Sequence, residues 1–261
     1  MAWKINFPCS PNGLSDSMYK QSEELAGQVA LVTGASRGIG EAIAEALAAR
    51  GAHVVITART AGGLEELEDR IHEAGGNATI APLDLTDGDS IARLASAMAE
   101  RWQKIDMLVL NAAMLGTLTP VAAIDGKEFN KLLTLNLIAQ QALIANFDPL
   151  LRRAASGRLV ALSTGVAREP RAYWGAYAAT KAALETLITS YGAEMRNIST
   201  VRTAILDPGG TRTQMRARAY PGEDPQSIKE PAAVGAFVAQ LMIDGFDSTA
   251  FHALPKVMAD A

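Results

Sequence analysis

Tyr177 and Lys181 stand four apart in the run YAATK, a spacing that puts both side chains on one face of a helix, one turn from each other. A free phenol ionises near about pH 10, too high to exchange protons readily at neutral pH. A neighbouring ammonium stabilises the phenolate and lowers that value, which makes the pair a candidate positioned general acid/base. Far upstream, VALVTGASRGIGEA from Val29 to Ala42 sets Gly34, Gly38 and Gly40 between an apolar run and an amphipathic pattern. This reads as strand, tight turn, helix. Glycine lets the backbone bend sharply and approach a ligand with no Cβ in the way. The start of the helix then presents unpaired N–H groups and a positive dipole end to a phosphate.

The surrounding chain supplies elements that could carry these residues. Apolar, β-branched runs at 53–58, 78–83, 106–110, 158–162 and 200–206 read as buried parallel strands. Between them lie helical patterns at 41–49, 63–74, 89–102, about 126–155 with an interruption near Pro149, and onward from Tyr177 to about Arg196. A last helix over 231–243 and a short strand near 249–254 close the chain. The alternation predicts an α/β fold: a single-domain, Rossmann-type doubly wound parallel sheet with helices on both faces. That domain spans 25–261, and 1–24, with Pro8, Pro11 and Gly13, reads as an N-terminal extension. The ligand belongs at the carboxyl ends of the strands, where Gly34–Gly40, Asn111, Thr164 and Pro208 all fall. Residues 209–225, rich in turn formers, read as a mobile substrate loop. Its arginines Arg212, Arg216 and Arg218 either attract an anionic substrate or face water.

Thr33 to Gly40 resembles the TGxxxGxG cofactor turn of the classical short-chain dehydrogenase/reductase superfamily, and Tyr177 to Lys181 its YxxxK motif. The resemblance runs from about Leu25 to the C-terminus. It implies an oxidoreductase that interconverts a small-molecule carbonyl and a secondary alcohol by hydride transfer, with Tyr177 as general acid/base and Lys181 on the nicotinamide ribose. Gly34, Ser36, Arg37, Gly38, Ile39 and Gly40 would hold the dinucleotide. Asn111 and Ala112 fall where the family shows NNAG, and Asp84-Leu85 resembles the pair beside the adenine, although Asp84 equally suits a turn. Asn136 matches an asparagine that perturbs its helix and supports a proton relay through water. The serine expected thirteen residues before the tyrosine is Thr164 here, with Ser163 as the fallback. Adjacent strand residues point oppositely, so one of the two serves. Pro208, Gly209, Thr211 and Thr213 resemble the PGxxxT segment that fixes the nicotinamide carboxamide, and Asp207 replaces a common asparagine. Tyr173 and Trp174 shape the substrate cleft.

The cofactor reading turns on the end of the second strand. An acidic residue there commonly binds the ribose 2′-OH, whereas arginine accommodates a 2′-phosphate. Ala58 occupies the place of the aspartate and Arg59 follows, with Arg37 on the other side. Two planar forks of donors suit a dianionic phosphate, which favours NADP(H) over NAD(H).

Composition excludes other classes. Over 261 residues the net charge is −4, so there is no basic footprint for nucleic acid. No run of about 18 apolar residues suggests a membrane span. The single cysteine, Cys9, permits no intramolecular disulfide, which fits a cytoplasmic setting. His53, His72 and His252 are scattered and show no metal-ligand spacing. Resemblance implies a homo-oligomer, dimer or tetramer, joined through the helices bearing Asn136 and Tyr177. Two rivals stand beside the reductase reading. One is a regulatory module that senses the NADP(H) ratio, which would not need the Tyr177/Lys181 pair. The other is a dehydratase or epimerase of the same superfamily, usually with a different glycine spacing.

Overall fold

The computed structural model describes residues 23–255. Residues 1–22 of the expected extension, Cys9 among them, lie outside the described residues. Seven strands form one sheet in the order β3-β2-β1-β4-β5-β6-β7, and every pairing is parallel. They are β1 Val29–Thr33, β2 His53–Thr57, β3 Asn77–Ile80, β4 Met107–Leu110, β5 Arg158–Leu162, β6 Arg202–Asp207 and β7 Ala250–Ala253. The inner strands are continuous apolar runs because helices cover both sides of the sheet.

Helices α1 Gly38–Ala48, α2 Gly62–Glu73, α3 Gly88–Trp102, α4 Gly126–Leu133, α5 Ala139–Leu151, α6 Gly175–Met195, α7 Gln214–Ala219 and α8 Pro231–Asp244 complete the fold. On one face Ile43 and Leu47 of α1, Leu64 and Leu67 of α2, and Val234 and Val238 of α8 pack against Val32, Val54 and Leu206. On the other, Ile91 and Met98 of α3, Leu143 and Phe147 of α5, and Leu184 and Ile188 of α6 pack against Leu31, Leu108 and Ile205. The chain leaves β1 toward β2 on one side and returns to β4 on the other. That reversal opens a crevice at the strands' carboxyl ends.

One expectation about local structure needs correction. Pro149 does not interrupt its helix; it sits inside α5, two residues before the end. A proline there removes one backbone donor, and the fully buried Phe147 and Leu151 on either side keep the turn packed. The interruption comes earlier, where Thr134–Ile138 winds as a π-helix between α4 and α5. The 209–225 segment includes α7, whose N-cap Thr213 accepts from the Arg216 amide, and runs into a short 3-10 turn, Pro225–Ser227, capped by Asp224. Among the described residues, no helix is long and apolar enough to cross a membrane.

Candidate active site

The glycine turn is built for close approach. Gly34 and Gly38 take left-handed φ values of 67° and 64°, which residues with a Cβ rarely adopt. A Cβ on Gly40 would collide with the Gly34 carbonyl and stand 2.5 Å from Asn111 Nδ2. Asn111 ties the end of β4 to this turn: its Nδ2 donates to the carbonyls of Thr33 at 2.9 Å and Gly34 at 3.2 Å. The amides of Asn111 and Ala112 both donate to Thr33 Oγ1. Arg37 is the N-cap of α1 in extended backbone, and Glu41 accepts from the Gly38 amide at 3.0 Å. The next amides, of Ile39 and Gly40, point out of the first turn without an intrahelical acceptor. Ser36 lies against Gly63 near the start of α2.

Arg37 and Arg59 are both exposed, and neither guanidinium forms a hydrogen bond or ion pair among the described residues. Asp84 closes a turn: its Oδ1 accepts from the amide and hydroxyl of Thr86 at 2.9 and 2.8 Å. Those two bonds hold its carboxyl below the usual range, helped by the charge of Arg59. Leu85 is buried in the core beneath it.

Tyr177 is the third residue of α6, close to the positive end of the helix dipole. Its ring packs with Leu115, Val166 and Ala178. Its hydroxyl has no hydrogen-bond partner among the described residues. One turn on, Lys181 is 2 % exposed and donates to the Leu162 carbonyl at the end of β5, at 2.8 Å. Burial brings its ammonium down to about 8, against the pull of Glu185. The phenol departs from expectation. The fold pushes it up rather than down, first by burial and then through the charge of Asp207. The Lys181 ammonium faces a carbonyl instead of the phenol, so it does not offset that rise.

Strand alternation separates the two candidate hydroxyls after β5. Ser163 is buried and donates to Glu185 Oε1 at 2.5 Å, and the same carboxylate accepts from Arg168 Nε at 2.8 Å. Thr164 points the other way, half-buried, with its hydroxyl unbonded among the described residues. Asn136, fully buried, lies in the π turn. Its Oδ1 accepts from the Met114 amide, and its Nδ2 donates to the Met114 carbonyl and to Thr180 Oγ1. Thr180 in turn donates to the Tyr177 carbonyl at 2.8 Å. Both amide hydrogens of Asn136 are therefore taken up in joining the segment after β4 to α6. Sequence reasoning missed Thr180 and Glu185. Their signal was available, because each stands three or four residues from Tyr177 or Lys181 on one helix.

The PGG turn follows β6. Thr211 is buried, donates to the Pro208 carbonyl at 3.2 Å and pairs with Lys229 in an isolated parallel bridge. Gly209 takes φ 63°. Beyond it, Met215 and Ala219 of α7 pack onto the Tyr177 cluster. Trp174 stands with its ring 6.2 Å from that of Tyr177 and 5.7 Å from that of Tyr220. Tyr173 is exposed beside it. Two of the three loop arginines are engaged internally: Arg212 with Glu230 and the Pro225 carbonyl, and Arg216 bidentately with Glu223. Among the described residues, Arg218 alone of the three makes no hydrogen bond or ion pair.

A switch-point crevice, a glycine turn opening a helix, and a buried Tyr–Lys pair beside a free hydroxyl define a Rossmann-type, nicotinamide-dependent oxidoreductase. The chain belongs to the short chain dehydrogenase family, whose model matches residues 28–224. It is 34% identical over 230 residues to the uncharacterized oxidoreductase YciK of Escherichia coli K12, covering 87% of this chain and 90% of that one. A short chain dehydrogenase from Salmonella enterica serovar Typhi superimposes with a TM-score of 0.85 at 34% identity, over 89% of this chain and 97% of the other. A protein from Shigella flexneri 2a, solved in complex with NADP, does so with a TM-score of 0.85 at 34% identity, over 90% and 98%.

Proposed function

We propose that this protein is an NADP(H)-dependent reductase of a small-molecule carbonyl, or dehydrogenase of the corresponding secondary alcohol. The observation that carries the reading is the pair of unbonded hydroxyls, Thr164 just past β5 and Tyr177 in the first turn of α6, with Lys181 bonded to the Leu162 carbonyl at the end of β5. The glycine turn fits a dinucleotide: a Cβ on Gly34 or Gly40 would meet Asn111, Ala112 or the Gly34 backbone, so glycine lets the turn close tightly against the end of β4 and aim the first amides of α1 at a pyrophosphate. Gly34 to Gly40, Asn111, Ala112, Leu85 and the 208–213 turn would hold it. When bound, the cofactor supplies or accepts the hydride.

The chain's own groups do the rest. Thr164 donates a hydrogen bond to the carbonyl oxygen and orients it. Tyr177 donates its proton to that oxygen as charge develops there. Lys181 lies one turn below to hold the ribose hydroxyls and restore the proton. The Asn136 side chain holds Met114 and Thr180, so its share in a water relay falls to its main chain. Thr164→Ala should lower kcat/KM by about 10–100-fold, the value of about 1.5–3 kcal/mol for a hydrogen bond to developing charge. Ser163→Ala should leave most turnover in place. If Ser163→Ala proved the more damaging, the register assigned here would be wrong.

For the cofactor, two unpaired guanidiniums flanking the end of β2 support NADP(H), as does the NADP complex of the Shigella protein. Calorimetric titration at fixed ionic strength should show NADPH binding much more tightly than NADH. Replacing Arg37 and Arg59 by alanine should erase about 1.5–3 kcal/mol of that preference, roughly tenfold or more in Kd. Equal weakening of NADH would refute the assignment. The reading includes a homo-oligomer, dimer or tetramer, supported by the exposed Ile138 on the π turn. It also includes a cytoplasmic location, supported by the single cysteine.

A further inference from the structure

The ring of Trp174 links two others beside the reaction site. Its centre lies 6.2 Å from that of Tyr177 and 5.7 Å from that of Tyr220, separations at which tilted aromatic rings attract one another. The backbone is strained where it delivers this ring. Tyr173, immediately before, has φ 73°, a left-handed conformation that is rare for a bulky residue. Its carbonyl accepts from the Thr119 amide at 3.0 Å, and the Trp174 amide donates to the Arg171 carbonyl at 3.2 Å. Strain of this kind persists only where surrounding contacts hold it, and it gathers at functional sites.

Tyr220 is held in turn. Arg216, one turn before it, sets its guanidinium carbon 3.7 Å from the centre of the Tyr220 ring. The same guanidinium makes a two-pronged pair with Glu223 at 2.5 and 2.7 Å, and the two side chains are largely withdrawn from water, 22 % and 13 % exposed. Helix α7 has six residues, too few to persist without tertiary contacts. Ring and charge pair supply such contacts, while Met215 and Ala219 of the same helix pack onto the Tyr177 cluster.

The surface of this wall decides what it accepts. Around the Tyr177 ring stand Leu115, Leu118, Val166, Met215, Ala219 and Trp174. A flat apolar group attached to the reacting carbonyl gains by leaving water for these side chains. A carboxylate in the same place would be stripped of water without a partner, because the Arg216 guanidinium is already committed to Glu223.

We propose that Trp174 is a specificity-determining residue, held in position by Tyr220 and the Arg216–Glu223 pair, and that the wall they form selects carbonyls bearing an aromatic group: aryl ketones, or the matching secondary alcohols in the reverse direction. The inference rests on the carbonyl reductase reading and names its substrate class.

Three methyl ketones test it: acetophenone, acetone and pyruvate carry a phenyl, a methyl and a carboxylate beside the same carbonyl. The first readout needs neither cofactor nor turnover. Ligand-observed NMR titration of the whole protein should give acetophenone a Kd at least about tenfold below those of acetone and pyruvate. With NADPH, Trp174→Ala should lower the ratio of kcat/KM for acetophenone to that for acetone by about tenfold or more, and Tyr220→Ala by about two- to tenfold, both chiefly through KM. Tyr220→Phe, which keeps the ring, should retain the ratio. Arg216→Gln, which takes the charge from above the ring, should lower it by about two- to fivefold. Pyruvate or acetone binding as tightly as acetophenone would overturn the substrate class, and a ratio unmoved in folded Tyr220→Ala or Arg216→Gln would overturn the brace. If Tyr220→Ala does not fold, Tyr220→Leu keeps bulk without the flat ring and is read the same way. If none of the three ketones is reduced, the reductase reading fails, while Kd values for the same ketones and variants still decide whether the aromatic wall selects its ligand.

Discussion

Tyr177→Phe lowers kcat/KM for carbonyl reduction by about 10²–10⁴, the contribution of a well-placed general acid, and leaves the affinity for NADPH within a few-fold of its starting value. The split between the two measurements follows from the geometry. The Tyr177 hydroxyl has no protein partner among the described residues, so removing it orphans no buried group. Its ring keeps its packing against Leu115, Val166 and Ala178. The melting temperature should therefore stay about level, because the hydroxyl that is removed has no protein partner and the ring keeps its packing. Lys181 keeps its bond to the Leu162 carbonyl, and the glycine turn lies on another element. A variant that lost NADPH binding and turnover together would show that Tyr177 shapes the cofactor site and is not chiefly its acid. A variant with undiminished turnover would remove the proposed mechanism, leaving the sensor reading as the stronger rival.

The parts of this site that could be read from the sequence are those set by local geometry. Gly34, Gly38 and Gly40 declare a strand-to-helix turn because left-handed backbone and close packing both demand glycine. Tyr177 and Lys181 declare a shared face by their spacing alone. The choice between Ser163 and Thr164 came down to strand alternation, and the structure gives Ser163 to Glu185 while leaving Thr164 unbonded. What escaped the sequence is pairing that no helix or strand period brings about. Nothing near Arg216 says that Glu223 will fold back onto it, nor near Arg212 that Glu230 will. Charges in a turn-rich segment look alike whether they meet water or one another. The helix break was misplaced for a related reason. Pro149 is a local signal, but near a helix end its missing donor costs one bond, while the π turn at Thr134–Ile138 coincides with the contacts of Asn136 to Met114 and Thr180. Those contacts are tertiary.

Gly40→Ala should reduce NADPH affinity by at least about 100-fold, about 2.7 kcal/mol, a larger effect than removing either arginine. One methyl group is enough because there is no room for it. The added Cβ meets the Gly34 carbonyl and, 2.5 Å away, Asn111 Nδ2. Both are rigid: Gly34 is backbone, and Asn111 is held by its bonds to Thr33 and Gly34. Relief requires α1 to move away from β1, which opens the cradle and turns the amides of Ile39 and Gly40 from the phosphate position. Overpacking of this kind costs about 1–3 kcal/mol of stability, so a lower melting temperature should accompany the lost affinity. Gly126→Ala is the matched control. It adds the same methyl at the first residue of α4, where nothing lies within 4 Å of the new Cβ. There the lower entropy of the unfolded chain should stabilise the protein by about 0.4–1 kcal/mol, with NADPH affinity unchanged. Parallel calorimetry and thermal melts on the two variants would separate the explanations. If Gly40→Ala bound NADPH as tightly as the native protein, the cofactor would not be seated on this turn, and the reading of Arg37 and Arg59 would fall with it.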